Sequence, residues 1–385
     1  MYDLVILGGG PGGYMAAERA GARGHSVLLI EKEALGGVCL NHGCIPTKSL
    51  LHSAKLYLHA RDGEHLGIKF KDGQYDLPAA MQWKQKTVTQ LVKGVEYLMD
   101  KYNVEVVHGE GRMVDRRTLA VREETYQGEH IIIATGSRPA MPPIPGIESE
   151  YVMTSREILQ IDQMPDRVVI IGGGVIGMEF ASFFSCLESE VHVVEMLDEI
   201  LPVMERDIAR AMRKEMESVQ FHLEAKVEEI DENKVTFSRD GNTSTVTGDI
   251  ILMATGRRAN VEHLGFEQAG MDILPEGIRV NEQMQTNLPN VYAVGDVTGK
   301  SMLAHSAYRM GEVAVNVISG ERDRMRYGAV PWVVYTLPEA AGCGLGEQDA
   351  EEAGLQVKTA KVPMRVNGRF LSEYGNAGGF CKVIV

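Results

Sequence analysis

The sequence predicts an α/β fold in which one unit is used twice, and three observations carry that prediction. An apolar run, Leu4-Val5-Ile6-Leu7, enters a glycine turn from Gly8 to Gly13 and then a helical stretch from Tyr14 to Ala22. The design recurs where Val168-Val169-Ile170-Ile171 enters Gly172 to Gly177, followed by helical character from Met178 to Phe184. In each copy a second apolar run, Val27 to Ile30 or Val191 to Val194, ends on an acid 18 residues beyond the last glycine: Glu31 after Gly13, Glu195 after Gly177. Strand, glycine turn, helix and strand make the repeating unit of a parallel sheet.

Both turns fit GxGxxG, at Gly8, Gly10 and Gly13 and at Gly172, Gly174 and Gly177. The first glycine allows the tight turn, the second lets backbone approach a pyrophosphate, and the third lets helix and strand pack closely. The helix N-terminus behind them offers free N–H groups and the positive end of its dipole. An acid about 20 residues on sits where a dinucleotide's ribose hydroxyls are bound. Each motif alone is weak, because glycine turns also serve plain packing and a glutamate often follows a buried strand. Two copies at identical spacing weigh against coincidence and point to two dinucleotides. Glu195 repels a 2′-phosphate, and Met196-Leu197-Asp198-Glu199 contains no arginine, so the second site favours NAD over NADP.

Composition narrows the class. Hydrophobic residues are 44% and charged residues 24% of 385, an ordinary globular balance. The 53 acidic against 39 basic side chains give a formal charge of −14, which repels nucleic acid, and there is no basic patch to offset it. No apolar run approaches the ~18 residues of a membrane span, and the start lacks a secretory pattern, so the expectation is a soluble, cytoplasmic protein. Of five cysteines, Cys186, Cys343 and Cys381 stand alone.

Cys39 and Cys44 lie in Gly36-Gly37-Val38-Cys39-Leu40-Asn41-His42-Gly43-Cys44-Ile45-Pro46-Thr47-Lys48. They could be half of a zinc site, but no second pair supplies the other ligands. Buried, inert packing is the other plain reading. Roughly one helical turn between them brings the sulfurs within disulfide reach, and a local pair beside a dinucleotide site reads as a redox-active disulfide. Lys48, four residues beyond Cys44, shares its face on a continuing helix and would stabilise a thiolate; as an alternative it is an ordinary exposed lysine.

GGGPGG with Glu31, GGVCLNHGCIPTK, ATGSRP from Ala134 to Pro139, GGGVIGME, ATGRRAN from Ala254 to Asn260 and VYAVGDVTG from Val291 to Gly299 occur in that order. Together they resemble the flavin-dependent pyridine nucleotide-disulfide oxidoreductases over the whole chain, and are most similar to the branch that oxidises lipoamide. The resemblance implies two Rossmann-like, three-layer dinucleotide-binding domains, one inserted in the other, plus a partial α+β interface domain. FAD would bind 1–150 and 270–326, NAD would bind 151–269, and 327–385 would begin the interface domain, with the proline-rich stretch from Pro139 to Gly146 as a crossover.

It also implies roles. Gly8, Gly10, Gly13 and Glu31 would hold the ADP part of FAD. Asp296 would hold hydroxyls on the ribityl or ribose side, and Gly111 with Thr135-Gly136-Ser137 would touch the adenosine and pyrophosphate regions. Backbone at Leu303-Ala304-His305 would face the flavin pyrimidine edge, and Lys48 would sit near flavin N5 and pair with Glu179. Gly172, Gly174, Gly177, Glu195 and Gly256 would bind NAD. A dihydrolipoyl thiol would attack Cys39, and electrons would pass from the Cys44 thiolate through the flavin to NAD⁺. The implied partners are the lipoyl carrier domain of a 2-oxo acid dehydrogenase or glycine cleavage complex and a second copy of the chain, with no nucleic acid, membrane or metal.

Departures from the family pattern stand at Ala259 for proline, Met310 for the glutamate of LAHxAxxEG and Leu337 for a histidine. The last histidine is His305, so the final 80 residues hold no counterpart of the family's acid-base histidine. The expectation is therefore weak lipoamide turnover with retained NADH-to-dye activity, and a weakened homodimer. His42, between the cysteines, is the one substitute base in view, and is expected to be a solvent-facing loop residue. A flavin-binding assembly subunit without turnover, and another NADH-dependent disulfide reductase, remain as alternatives.

Overall fold

A computed structural model describes residues 1–71, 73–375 and 377–385. The chain divides into two compact units, one of residues 1–50, 78–140 and 257–327, the other of residues 51–77, 141–256 and 328–385.

In the first unit the strands Glu105–His108, Val27–Glu31, Tyr2–Leu7, Glu124–Ile133 and Val291–Ala293 lie side by side in that order, all parallel. Their apolar runs are buried on both faces, as central parallel strands require: Val5, Ile6, Leu28, Leu29, Ile131 and Ile132 have no exposed surface. Each such side chain contributes roughly 1.5–3 kcal/mol by leaving water. The helix Pro11–Ala22 begins three residues before Tyr14, inside the glycine turn, because Pro11 at its first position fixes a helical φ. It packs on the helix Ala304–Ile318 at close range, and a Cβ on Gly311 would lie 2.6 Å from the Gly12 carbonyl oxygen. The strand Glu124–Ile133 is long because it serves twice: its first half closes an antiparallel meander with Thr118–Val121 and Gly111–Asp115 before its second half enters the parallel sheet.

The second unit repeats this plan. Val219–His222, Glu190–Val194, Arg167–Ile171, Ile250–Met253 and Val152–Met153 form a parallel sheet in that order, with the helix Val175–Cys186 after the glycine turn. Its meander, Lys226–Asp231, Lys234–Arg239 and Asn242–Thr247, is separate from the sheet strand after it. Two further antiparallel hairpins belong to this unit, Pro331–Val334 with Ala340–Cys343 and Thr359–Pro363 with Phe380–Ile384. The first leads into a strap on the glycine-turn helix, where Tyr335 N–H donates to Glu179 Oε1 at 3.1 Å and Leu337 N–H donates to Ser182 Oγ at 2.9 Å. The second is pinned by Lys382, whose ammonium lies 2.6 Å from Glu205, 2.5 Å from Glu347 and 3.4 Å from Asp207. Burial opposes that charge, but the three carboxylates hold its pKa above the ordinary lysine range. No described helix is long and apolar enough to cross a membrane.

Candidate functional site

The first glycine turn is held by the acid the sequence singled out. Gly9 N–H donates to Glu31 Oε2 at 2.6 Å, and Glu33 N–H donates to Oε1 at 2.8 Å. Glu31 is buried, so these two bonds fix its carboxylate at the mouth of the turn. Gly8 has φ +107°, and a Cβ there would meet the Ala134 carbonyl oxygen at 2.3 Å; one on Gly13 would meet the Gly8 oxygen at 1.8 Å. Gly10 is different, since its nearest neighbour would be the Gly37 Cα at 3.8 Å. The first and third glycines are thus closed by neighbouring backbone, and the second meets nothing nearer than ordinary van der Waals contact, which is the arrangement that admits a pyrophosphate.

The second unit reproduces it. Gly173 N–H donates to Glu195 Oε2 at 2.6 Å and Leu197 N–H to Oε1 at 2.8 Å. A Cβ on Gly172 would meet the Ala254 oxygen at 2.5 Å and one on Gly177 the Gly172 oxygen at 2.1 Å, while nothing lies within 4 Å of the Cβ position on Gly174. Two cations beside this loop are taken up: Arg206 by Asp198, and Arg213 by Glu199 at 2.7 Å. Gly256, at φ +114°, likewise has open space around it.

The cysteines stand on two helices rather than one. Gly37–His42 carries Cys39, Gly43 breaks the chain direction at φ −150°, ψ −113°, and Cys44–Arg61 carries Cys44 and Lys48. Continuing the first helix would have put the sulfurs on different faces; the break turns them together, and the Cys39 thiol is hydrogen-bonded to Cys44. That bond, then burial, drive the Cys39 thiol far above the usual cysteine range, with Lys48 pulling the other way. Cys39 and Cys44 are both half-buried. Gly37, at φ +56°, ties this segment to the first turn, because a Cβ there would lie 2.6 Å from the Gly10 Cα. His42 is not a solvent-facing loop residue: it ends the helix Gly37–His42, partly buried, with Nε2 3.4 Å from Glu33.

Thr135, Gly136, Ser137 and Asp296 meet on an antiparallel ribbon, Ser137–Pro139 against Arg257–Ala259. Ser137 Oγ donates to Asp296 Oδ2 at 2.5 Å and accepts from Arg257 Nε at 2.7 Å, and the Ser137 carbonyl accepts from Arg257 Nη2 at 2.7 Å. Thr135 Oγ1 donates to the Asn260 carbonyl at 2.8 Å, Asn260 Nδ2 returns a bond to the Thr135 carbonyl at 2.9 Å, and the Gly136 carbonyl accepts from Asn260 N–H. Gly111 is buried, and a Cβ there would meet Leu7 Cδ1 at 2.5 Å. Ala304 is the first residue of its helix, Ala304–Ile318. Glu179 lies in the second unit on the helix Val175–Cys186, bonded to Tyr335. Arg257 and Asn260 were visible only as letters of ATGRRAN; the pairing of that segment with ATGSRP is long-range and carries no local spacing signal.

The family model described as pyridine nucleotide-disulphide oxidoreductase matches residues 2–311, and its dimerisation-domain companion matches 330–385. The chain belongs to the pyridine nucleotide-disulphide oxidoreductases. Members of the family similar to it include a dihydrolipoyl dehydrogenase from Acholeplasma laidlawii, 43% identical over 82% of this chain and 96% of that one. A dihydrolipoyl dehydrogenase from Bacillus subtilis is 38% identical over 99% of this chain and 83% of that one. Among solved structures, the HOCl-induced flavoprotein disulfide reductase RclA from Escherichia coli superposes with a TM-score of 0.87 at 30% identity, covering 100% of this chain and 86% of that one. The family is one of NAD- and FAD-dependent oxidoreductases, and both phosphate loops fit such cofactors.

Proposed function

We propose that this chain is a dihydrolipoyl dehydrogenase that oxidises protein-bound dihydrolipoamide with NAD⁺ through FAD and the Cys39–Cys44 pair. The observation that carries the reading is the junction of Gly37 with Gly10, which joins a hydrogen-bonded thiol pair to one of two carboxylate-closed phosphate loops. FAD, when bound, supplies two-electron exchange between a thiol pair and a nicotinamide.

This chain's residues do the rest. Gly10 and the first turn of Pro11–Ala22 receive the FAD pyrophosphate, and Glu31 accepts from the ribose of its adenosine. Gly174 and Glu195 do the same for NAD, with Gly256 opposite, and Glu195 disfavours a 2′-phosphate because Arg206 and Arg213 are already paired. Gly111, Thr135, Gly136, Ser137, Asp296 and the backbone at Ala304 belong to the FAD side. A substrate thiolate attacks Cys39 of the disulfide, forming a mixed disulfide and releasing the Cys44 thiolate; the second substrate sulfur then displaces Cys39. Lys48 and Glu179 complete the catalytic set, the cation favouring the thiolate form that reacts. The partners are a lipoyl carrier domain and a second copy of the chain, the latter through residues 330–385, and the setting is the cytoplasm.

A second reading, an NADH-dependent reductase of another disulfide, draws on the likeness to the Escherichia coli disulfide reductase. Assaying lipoamide against glutathione disulfide, each with NADH and NADPH, separates the two. Lipoamide with NADH as the best pair supports the first; glutathione disulfide, or preference for NADPH, overturns it.

A further inference from the structure

The two phosphate loops close differently where the chain comes back over them. In the first unit the returning residue is Gly36, whose N–H donates to the Gly9 carbonyl at 2.8 Å and whose φ is +96°. In the second unit the same bond, to the Gly173 carbonyl at 2.9 Å, is made by Leu201, which also has a positive φ, +53°. Glycine takes up that conformation without steric cost, whereas a leucine Cβ crowds the following carbonyl oxygen. A side-chain-bearing residue persists there only where its surroundings hold it. The second loop therefore needs a support that the first does without.

The support is Glu199. Its buried carboxylate is gripped by a fork from Arg213 on the helix Arg206–Glu215, Nε donating to Oε1 at 2.7 Å and Nη2 to Oε2 at 3.0 Å, and Oε1 also accepts from the Ile200 N–H at 3.0 Å. Burial works to raise the Glu199 pKa, but the Arg213 guanidinium and then the Ile200 N–H bring it below the ordinary glutamate range, so the pair is ionised. Ile200 and Leu201 have no exposed surface. A Cβ on Gly173 would lie 3.1 Å from Ile200 Cγ2 and 3.3 Å from Glu195 Oε2, so the residue that Glu199 holds and the carboxylate that closes the loop press on the same glycine. The Gly173 N–H is the donor to that Oε2, at 2.6 Å. The line of contact runs from Arg213 through Glu199, Ile200 and Gly173 to Glu195, inside the second unit.

We propose that Glu199 is a positioning residue for dinucleotide binding: its fork to Arg213 holds Ile200 and Leu201 against Gly173, and so fixes the Glu195 carboxylate where the adenosine ribose is bound. The proposal rests on the NAD reading of the second loop given above. The test is calorimetric titration of the FAD-loaded protein with ADP-ribose, which carries the adenosine ribose and the pyrophosphate but no nicotinamide. Glu199→Gln keeps the shape and an acceptor for Ile200 but loses the ionic fork, and Arg213→Met removes the fork from the other side. Each should weaken ADP-ribose binding about tenfold, the size of a lost charge-assisted bond. The KM for NADH in dye reduction should rise by the same factor, with kcat and flavin content unchanged. The double variant separates positioning from the burial of an unpaired charge. It leaves no charge unpaired, so a purely electrostatic upset would be repaired in it, whereas a loop that has lost its support stays as weak as in the single variants. Wild-type affinity in both single variants, or affinity restored in the double variant, overturns the proposal. Wild-type protein that binds no ADP-ribose would overturn the NAD reading as well, an outcome distinct from tight binding that the variants share.

Discussion

The two glycine turns make the same bonds: Gly8 N–H reaches Ile30 O at 2.8 Å where Gly172 N–H reaches Val194 O at 2.9 Å, and Ala134 and Ala254 close both strands from the far side. They differ in the path of the chain beyond the acid-bearing strand. After Glu31 the chain returns through Gly36, whose N–H bonds to the Gly9 carbonyl, and runs on as the cysteine segment lying over Gly10. After Glu195 it returns through Leu201, whose N–H bonds to the Gly173 carbonyl, and leaves by a helix, Arg206–Glu215, with Gly174 uncovered. One phosphate loop is built into thiol chemistry and the other stands open. In physical terms the first suits a resident cofactor and the second suits a ligand that comes and goes.

That contrast can be broken where the loops are tightest. Gly13→Ala would drive a Cβ to 1.8 Å from the Gly8 oxygen, and Gly177→Ala would place one 2.1 Å from the Gly172 oxygen. Each should cost more than ~3 kcal/mol, since backbone cannot move aside as a side chain can. Thermal melts should show the loss in both, with FAD release only in the first variant. Gly174→Ala, with open space at its Cβ, should leave the melting temperature unchanged and weaken NADH binding.

The carboxylates offer a finer comparison. Glu195→Gln loses one of two backbone acceptor contacts, at 2.6 and 2.8 Å, and should raise the KM for NADH about tenfold, as the loss of one charge-assisted hydrogen bond implies. Flavin content should be unaffected. Glu31→Gln should do the opposite, lowering retained FAD while any FAD-loaded fraction keeps its KM. Equal effects of both variants on NADH would erase the distinction between the loops.

A smaller effect lies in the second unit. His192 Nδ1 and His222 Nε2 lie 3.1 Å apart, and burial, then His192, depress the His222 pKa. A histidine with a folded pKa below its unfolded value, ~6.5, binds more protons when unfolded. Its stabilising contribution is complete above that unfolded value and is lost as pH falls toward the folded one. Urea midpoints should therefore drop on acidification below pH ~6.5, and His222→Gln should flatten the slope. A slope identical in the variant would place the acid sensitivity elsewhere.

The twin turns were legible because their signals are local: glycines, apolar runs and an acid at fixed spacing. The same applies to the cysteine segment, although the break at Gly43 was not, since a glycine between two helical turns is compatible with a continuous helix until its backbone angles are known. Ser137, Asp296 and Arg257 come from three distant stretches, and their bonds follow from how strands pair. The strap from Tyr335 to Glu179 and the three acids around Lys382 also join distant segments.

The central claim is that electrons from NADH reach the Cys39–Cys44 pair through a flavin seated on the first loop. Anaerobic titration of the FAD-loaded protein with NADH tests it most directly. The account predicts a long-wavelength charge-transfer band from the Cys44 thiolate after one equivalent, present without reductant in Cys39→Ser and absent in Cys44→Ser. Bleaching of the flavin by NADH with no such band in the wild-type protein would contradict it.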